Sequence, residues 1–193
     1  MHEALLKNIE AFINLTEEEK EYFLSVLKPK KLRKRQYHVQ AGDICRYEAY
    51  LVKGCLRQYY VDDSGIEHTV SFAIEDWWVS DMYGFITGGP SLTNIEALED
   101  SELLLIEKND FEKLLLEIPK FERLFRIKLQ RAFVAHQRRI IENMSMPADQ
   151  RYLNFIEQFP SLEQRLPLKL IASYLGITPE SLSRIRKQLA EAK

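Results

Sequence analysis

Glu180, Ser183, Arg184 and Lys187 stand three or four residues apart near the C-terminal end of the chain, which places them on one face of a helix. Arginine can bond bidentately to O6 and N7 of guanine, and glutamate can accept from N4 of cytosine. Spaced four apart, Glu180 and Arg184 suit one G·C pair or its neighbours, and Ser183 suits a base or a phosphate. Thr178, Ser181 and Lys187 suit the nucleic-acid backbone, where contacts add affinity but little sequence choice. The same spacing also fits a Glu180–Arg184 surface ion pair stabilising the helix by a few tenths of a kcal/mol, and the two roles are compatible. No other cluster competes. The chain has no nucleophile motif, no glycine-rich phosphate loop and no paired carboxylates, so no catalytic residue is assigned. Its two cysteines, Cys45 and Cys55, cannot complete a four-ligand iron–sulfur or zinc site alone and read as buried core thiols. His38, His68 and His136 show no ligand spacing, so no metal or cofactor is assigned.

A reading helix needs a partner helix and a tight turn. Leu170, Ile171 and Leu175 give residues 168–175 an apolar stripe at helical spacing. Gly176 follows, where a left-handed residue ends a helix without Cβ strain. Thr178 is a good N-cap and Pro179 fits the first helical position. Leu182, Ile185 and Leu189 supply the buried face of the second helix, and small Ala172 allows the two helices to cross closely. This is a helix-turn-helix pattern, whose second helix enters the major groove.

Upstream, Pro119 opens a long helix to about Met144, with Phe125, Leu129, Ala132, His136 and Ile140 recurring along it. That stripe suits either its own domain or a coiled-coil-like seam with a second copy. Asn109 is the expected cap of a short helix over Phe111–Ile118. Residues from about Lys31 to Glu107 read as short strands punctuated by turn signals, the pattern of an antiparallel barrel or roll. The basic run Lys28–Arg35 reads as a solvated edge strand. Two helices precede it, the second opened by a capping box from Thr16 to Glu19. The expected fold is α+β: a β-roll with flanking helices over 1–118, a dimerisation helix over 119–146 and a helix-turn-helix domain over 147–193.

Net charge is only −2 over 193 residues, so nucleic acid is not indicated by bulk charge. Residues 148–193 carry seven Lys/Arg against five Asp/Glu, a weak local bias. The N-terminus has no apolar signal-peptide core, and no run is long and apolar enough to span a bilayer. A cytoplasmic protein with no membrane partner is the expectation.

With these parts in order, the chain resembles the CRP/FNR family of bacterial transcription regulators over almost all of its length. Glu180, Ser183 and Arg184 match the Glu-x-x-Ser-Arg pattern of the recognition helix in the fumarate–nitrate branch. Ala97–Ile106 resembles the strand after the phosphate-binding cassette. The resemblance implies a homodimer paired along the long helix and bound to a palindromic operator in double-stranded DNA. It also implies RNA polymerase as a partner and an N-terminal effector domain, in which Trp78, Asp81, Tyr83, Ser91 and Thr93 would line an effector pocket.

The chain departs from that family in three places. Cyclic-nucleotide-binding members carry a glutamate for the ribose and an arginine for the cyclic phosphate. Here Asp81 falls at the glutamate position, and no arginine lies between Trp77 and Asp100. A buried cyclic phosphate would lack its bidentate partner, so cyclic AMP in the usual mode is not expected. The N-terminal cysteine cluster of oxygen-sensing members is also absent. The β-hairpin wing of many members would follow the recognition helix, where this sequence stops at Lys193, so wing contacts to phosphate are not expected. Trp77, Trp78, Tyr83 and Phe85 either line an aromatic cavity or fill the roll's core. An alternative function is a small-molecule sensor whose helical tail docks on a protein partner. A cupin-type enzyme would need a histidine–carboxylate metal cluster that this sequence does not offer.

Overall fold

The computed structural model describes residues 2–191. Two helices come first, α1 (His2–Glu10) and α2 (Glu17–Ser25). The capping box at the start of α2 is formed: Glu19 N–H donates to Thr16 Oγ1 at 3.2 Å, and Thr16 N–H donates to the Glu19 carboxylate at 2.7 Å. Eight strands follow: β1 (Lys28–Leu32), β2 (Tyr37–Val39), β3 (Tyr47–Lys53), β4 (Leu56–Val61), β5 (Glu67–Ala73), β6 (Trp78–Val79), β7 (Asn94–Ala97) and β8 (Ser101–Glu107). They form two four-stranded sheets, ordered β1-β8-β3-β6 and β2-β7-β4-β5. Helix α3 (Met82–Thr87) interrupts them after β6.

Strand periodicity explains the core. Leu103 and Leu105 of β8 pack with Leu51, Leu56 and Ile95 between the sheets. Leu104 and Ile106 point the other way, into a second core beneath the helices. That second core holds Leu5, Ile9, Phe23, Tyr50, Phe121 and Leu124. Strand β1 lies at a sheet edge, with Pro29 opposite Leu104. An edge is where a residue lacking N–H and a row of lysines are tolerated. Lys28 and Lys31 lean on Glu107 and Glu102 at 2.8 and 3.3 Å.

The helical remainder is α4 (Lys108–Glu117), α5 (Lys120–Ser145), α6 (Ala148–Gln158), α7 (Leu162–Arg165), α8 (Leu168–Leu175) and α9 (Pro179–Glu191). Helix α4 starts earlier than the Asn109 cap predicts, because β8 runs directly into it. Glu107 holds the N-cap position without a capping hydrogen bond, its carboxylate being engaged by Lys28. Contacts divide the chain into two compact units: residues 1–60 with 71–130, and the β4–β5 tip 61–70 with everything from Arg131 on. Tyr152, Phe155, Leu162, Ile171, Leu175 and Leu182 are buried in the second unit. No helix among the described residues is long and apolar enough to cross a membrane.

Gly54 joins β3 to β4 with φ +108°, and a Cβ there would lie 2.2 Å from Ser101 Oγ and 2.8 Å from its Cα. Gly54→Ala combines left-handed strain with a clash against backbone, and is expected to lower unfolding free energy by about 3 kcal/mol. Urea denaturation of the two proteins measures this. An unchanged midpoint would show that the turn is not constrained.

Candidate nucleic-acid interface

The helix-turn-helix follows from local chemistry. Gly176 takes the left-handed conformation (φ +66°) and ends α8, and Ile177 N–H turns back to Ala172 O at 3.1 Å. Thr178 Oγ1 accepts from Ser181 N–H at 3.2 Å, capping α9 one residue before Pro179. Leu182 and Ile185 are buried, and Leu189 is half-buried. Glu180, Ser183, Arg184 and Lys187 are all exposed. One helix face therefore presents the four polar groups together.

Their neighbours refine the picture. Glu180 bends back to the helix start, where its own backbone N–H and the Thr178 hydroxyl hold its carboxyl below the ordinary range. Among the described residues no ion pair joins it to Arg184. Thr178 also bonds Ser181, which is half-buried, so this hydroxyl pair builds the cap. Lys187 lies 3.8 Å from Glu191. Arg186, on the other side, reaches Glu163 at 3.4 Å, and Glu163 accepts from the Tyr152 hydroxyl at 2.5 Å. That chain ties α9 to α6 and α7.

In the first unit, Asp81 is buried and caps α3. Its carboxylate accepts from Ser91 Oγ at 2.6 Å, Thr93 Oγ1 at 3.0 Å, Gly84 N–H at 3.1 Å and Leu92 N–H at 3.4 Å. Asp81, Ser91 and Thr93 are thus brought together, and they satisfy one another. Tyr83 stands outside this cluster, 53% exposed. Trp78 is also apart from it, its ring edge-on to Tyr50 and Phe125 at 5.5 and 5.2 Å. The strand alternation of the two-residue β6 turns Trp78 toward the helices and Val79 into the core between the sheets. Phe85 is buried against Phe111, whereas Trp77 is partly exposed, so the four aromatics line no common cavity.

A family model for the cyclic nucleotide-binding domain matches residues 29–117. Solved structures extend the likeness to nearly the whole chain. The c-di-GMP-responsive global regulator CLP of Xanthomonas campestris superposes with TM-score 0.75 at 15% identity, covering 92% of this chain and 93% of that one. Residues 29–117 thus match the cyclic nucleotide-binding domain, in a chain that shares the fold of CLP over most of its length. FixK2 of Bradyrhizobium japonicum gives TM-score 0.74 at 18% identity over 86% of each chain. CooA of Carboxydothermus hydrogenoformans, solved as a mutant, gives 0.70 at 18%, over 88% of this chain and 79% of that one. Comparison with curated protein sequences gives no match.

The long helix α5 changes character along its length. Phe125 is not on an exposed seam: it is buried against Phe111 and Trp78 in the first unit's core. Periodicity alone does not separate its buried end from its free end. Beyond it, Leu129, Phe133, Ile140 and Met144 stand exposed at 45, 67, 60 and 83%, with Ala132 and His136 exposed beside them. Steps of four, seven and four residues keep that apolar row on one side of the helix.

Two polar groups are withdrawn from water, His38 at its ring nitrogens and Glu48 throughout. His38 has neither ring nitrogen hydrogen-bonded, and burial with the nearby Lys30 charge holds its pKa down to about 3, so the ring is neutral. Glu48 is buried on the same strand face as Tyr50 and accepts from Ser80 Oγ at 2.5 Å, next to Asp81 in sequence. Alternation with Tyr50 was the signal available for it. Cys45 and Cys55 are buried free thiols, and burial pushes the Cys45 thiol up.

Burial raises Glu48 from 4.5 to about 7. The folded state then holds this proton more tightly than the unfolded chain does. Stability is full below about pH 4.5 for this group and declines as pH rises toward 7, by up to ~3 kcal/mol. Glu48→Gln keeps the neutral shape and removes the titration. Thermal melts at pH 5 and pH 8 are expected to converge for the variant, with a gain confined to pH 8. Equal slopes for both proteins would contradict a buried titrating Glu48.

Proposed function

We propose that the protein is a homodimeric, sequence-specific DNA-binding transcription regulator that reads a palindromic operator with α9. The single observation that carries this is the exposed row of Glu180, Ser183, Arg184 and Lys187 on a capped helix whose opposite face is buried. Arg184 is the principal base reader, with the shape to grip guanine. Glu180 and Ser183 contribute beside it, Lys187 neutralises phosphate, and Thr178 and Ser181 set the helix start. Residues 1–118 serve as the effector-type domain, 119–146 as the dimer helix and 147–193 as the reading domain. RNA polymerase is the partner through which bound protein acts.

The second copy docks along α5 through Leu129, Phe133, Ile140 and Met144, because an exposed apolar row of this length is unstable in water alone. The effector is not cyclic AMP in the usual mode. Asp81 already accepts four hydrogen bonds from its own cassette, and no guanidinium stands between Trp77 and Asp100 to hold a cyclic phosphate.

Arg184→Ala tests the reading directly. With a duplex selected by the wild-type protein from a randomised pool, anisotropy titration is expected to show a loss of about 1–3 kcal/mol on the selected duplex and little on a scrambled one. Circular dichroism should be unchanged. Lys187→Ala should instead weaken both duplexes alike and reduce the salt slope by about one. Undiminished discrimination by Arg184→Ala would defeat the assignment. Phe133→Glu is expected to convert the dimer to monomer in sedimentation velocity with the fold retained, and an unchanged sedimentation coefficient would remove α5 from the interface.

A further inference from the structure

Within the second unit, the β4–β5 tip is fastened to the reading head by two side chains. Strand β5 is the outer strand of its sheet, so its far edge has no neighbouring strand. Ser173, in α8, covers part of that edge: its hydroxyl accepts from Thr69 N–H at 2.9 Å and donates to Glu67 O at 3.0 Å. It occupies the place that a neighbouring strand's backbone would take. Arg139, from the second half of α5, completes the junction. Its guanidinium donates to Val70 O, to Thr69 O at 2.9 Å and to Tyr174 O at 3.1 Å. The same group lies 4.1 Å from the centre of the Tyr174 ring. One cation therefore grips the tip and α8 at once.

The chemistry is unusual for a part that only holds a fold together. The guanidinium is largely taken out of water, its Nε has no hydrogen-bond partner, and the acceptors around it are neutral carbonyls rather than a carboxylate. Burial lowers its pKa, the mark of an environment that disfavours the charge. A buried charge without a counter-ion is costly, and an apolar side chain would fill the space at less cost. What arginine supplies instead is direction: a planar fork fixes the carbonyls of two separate segments in one geometry.

We propose that Arg139 and Ser173 are positioning residues for DNA reading, setting the angle of α8, and through the Gly176 turn that of α9, against the β4–β5 tip. This rests on the DNA-binding reading given above. Helices α8 and α9 lie against each other, with Ala172, Leu175, Leu182 and Ile185 buried and the turn between them capped by Thr178. Holding α8 therefore holds α9. Two heads must meet two half-sites simultaneously, so a head free to rotate spends most of its time misaligned, and apparent affinity falls with the aligned fraction.

The experiment uses the full chain and the duplex selected by the wild-type protein. Amide hydrogen exchange reads the junction without DNA: Ser173→Ala should speed exchange at Thr69 at least tenfold while the Leu182 amide keeps its protection. Arg139→Gln and Ser173→Ala should each weaken duplex binding by about tenfold, with an unchanged salt slope because no phosphate contact is removed. Arg139→Lys keeps the charge but not the fork, and should bind as weakly as Arg139→Gln. Ser173→Ala, the mildest change, keeps the test valid if the arginine variants fold poorly. Wild-type affinity in Ser173→Ala, or full rescue by Arg139→Lys, overturns the proposal while leaving DNA reading intact. A wild-type protein that selects no duplex from the pool overturns both.

Discussion

Strand β8 is the constraint on which the first unit rests. It is buried on both faces, so Leu103 and Leu105 belong to one core and Leu104 and Ile106 to another. A slip of one residue would exchange the two sets, setting each side chain against a core packed around its neighbour, and would turn the flanking polar residues Glu102 and Glu107 to the opposite faces. The register is therefore held by hydrophobic burial on two sides, and β1 and β3, paired to β8 along their lengths, inherit it. The cassette inherits it in turn, since β6 pairs to β3 immediately before Asp81.

That cassette illustrates how one methylene changes a site. Asp81 is short and turns to its own surroundings. Two hydroxyls and two backbone amides surround it. Its lone pairs are spent on closing α3 against the segment that follows. The strands that match the cyclic nucleotide-binding domain are present, and the Asp81 carboxylate among them is engaged by internal hydrogen bonds.

The turn, cap and amphipathic faces of α8 and α9 were legible because each signal is local: Gly176, Thr178 and Pro179 act on their immediate neighbours. The edge character of β1 was legible from Pro29 and its lysines for the same reason. Four elements were not: β2, β6, α3 and α7 are too short to show a period. Phe125 fitted the stripe of α5 but lies where that stripe enters a core, a distinction only tertiary packing makes. The position of Asp81 was readable, its role was not, because Ser91 and Thr93 reach it through folding. Arg139 was invisible for a deeper reason. Its partners are backbone carbonyls, which leave no trace in residue type, so it looked like one more arginine on a charged helix.

The covered rim of β5 carries a cost that falls due whenever the head swings aside. Unclasped, Glu67 and Thr69 turn a bare backbone donor and acceptor outward, and these must be wetted or met by a strand from elsewhere. The Ser173 hydroxyl thus seals, within one unit, a stretch of sheet rim that an uncovered edge strand would leave open.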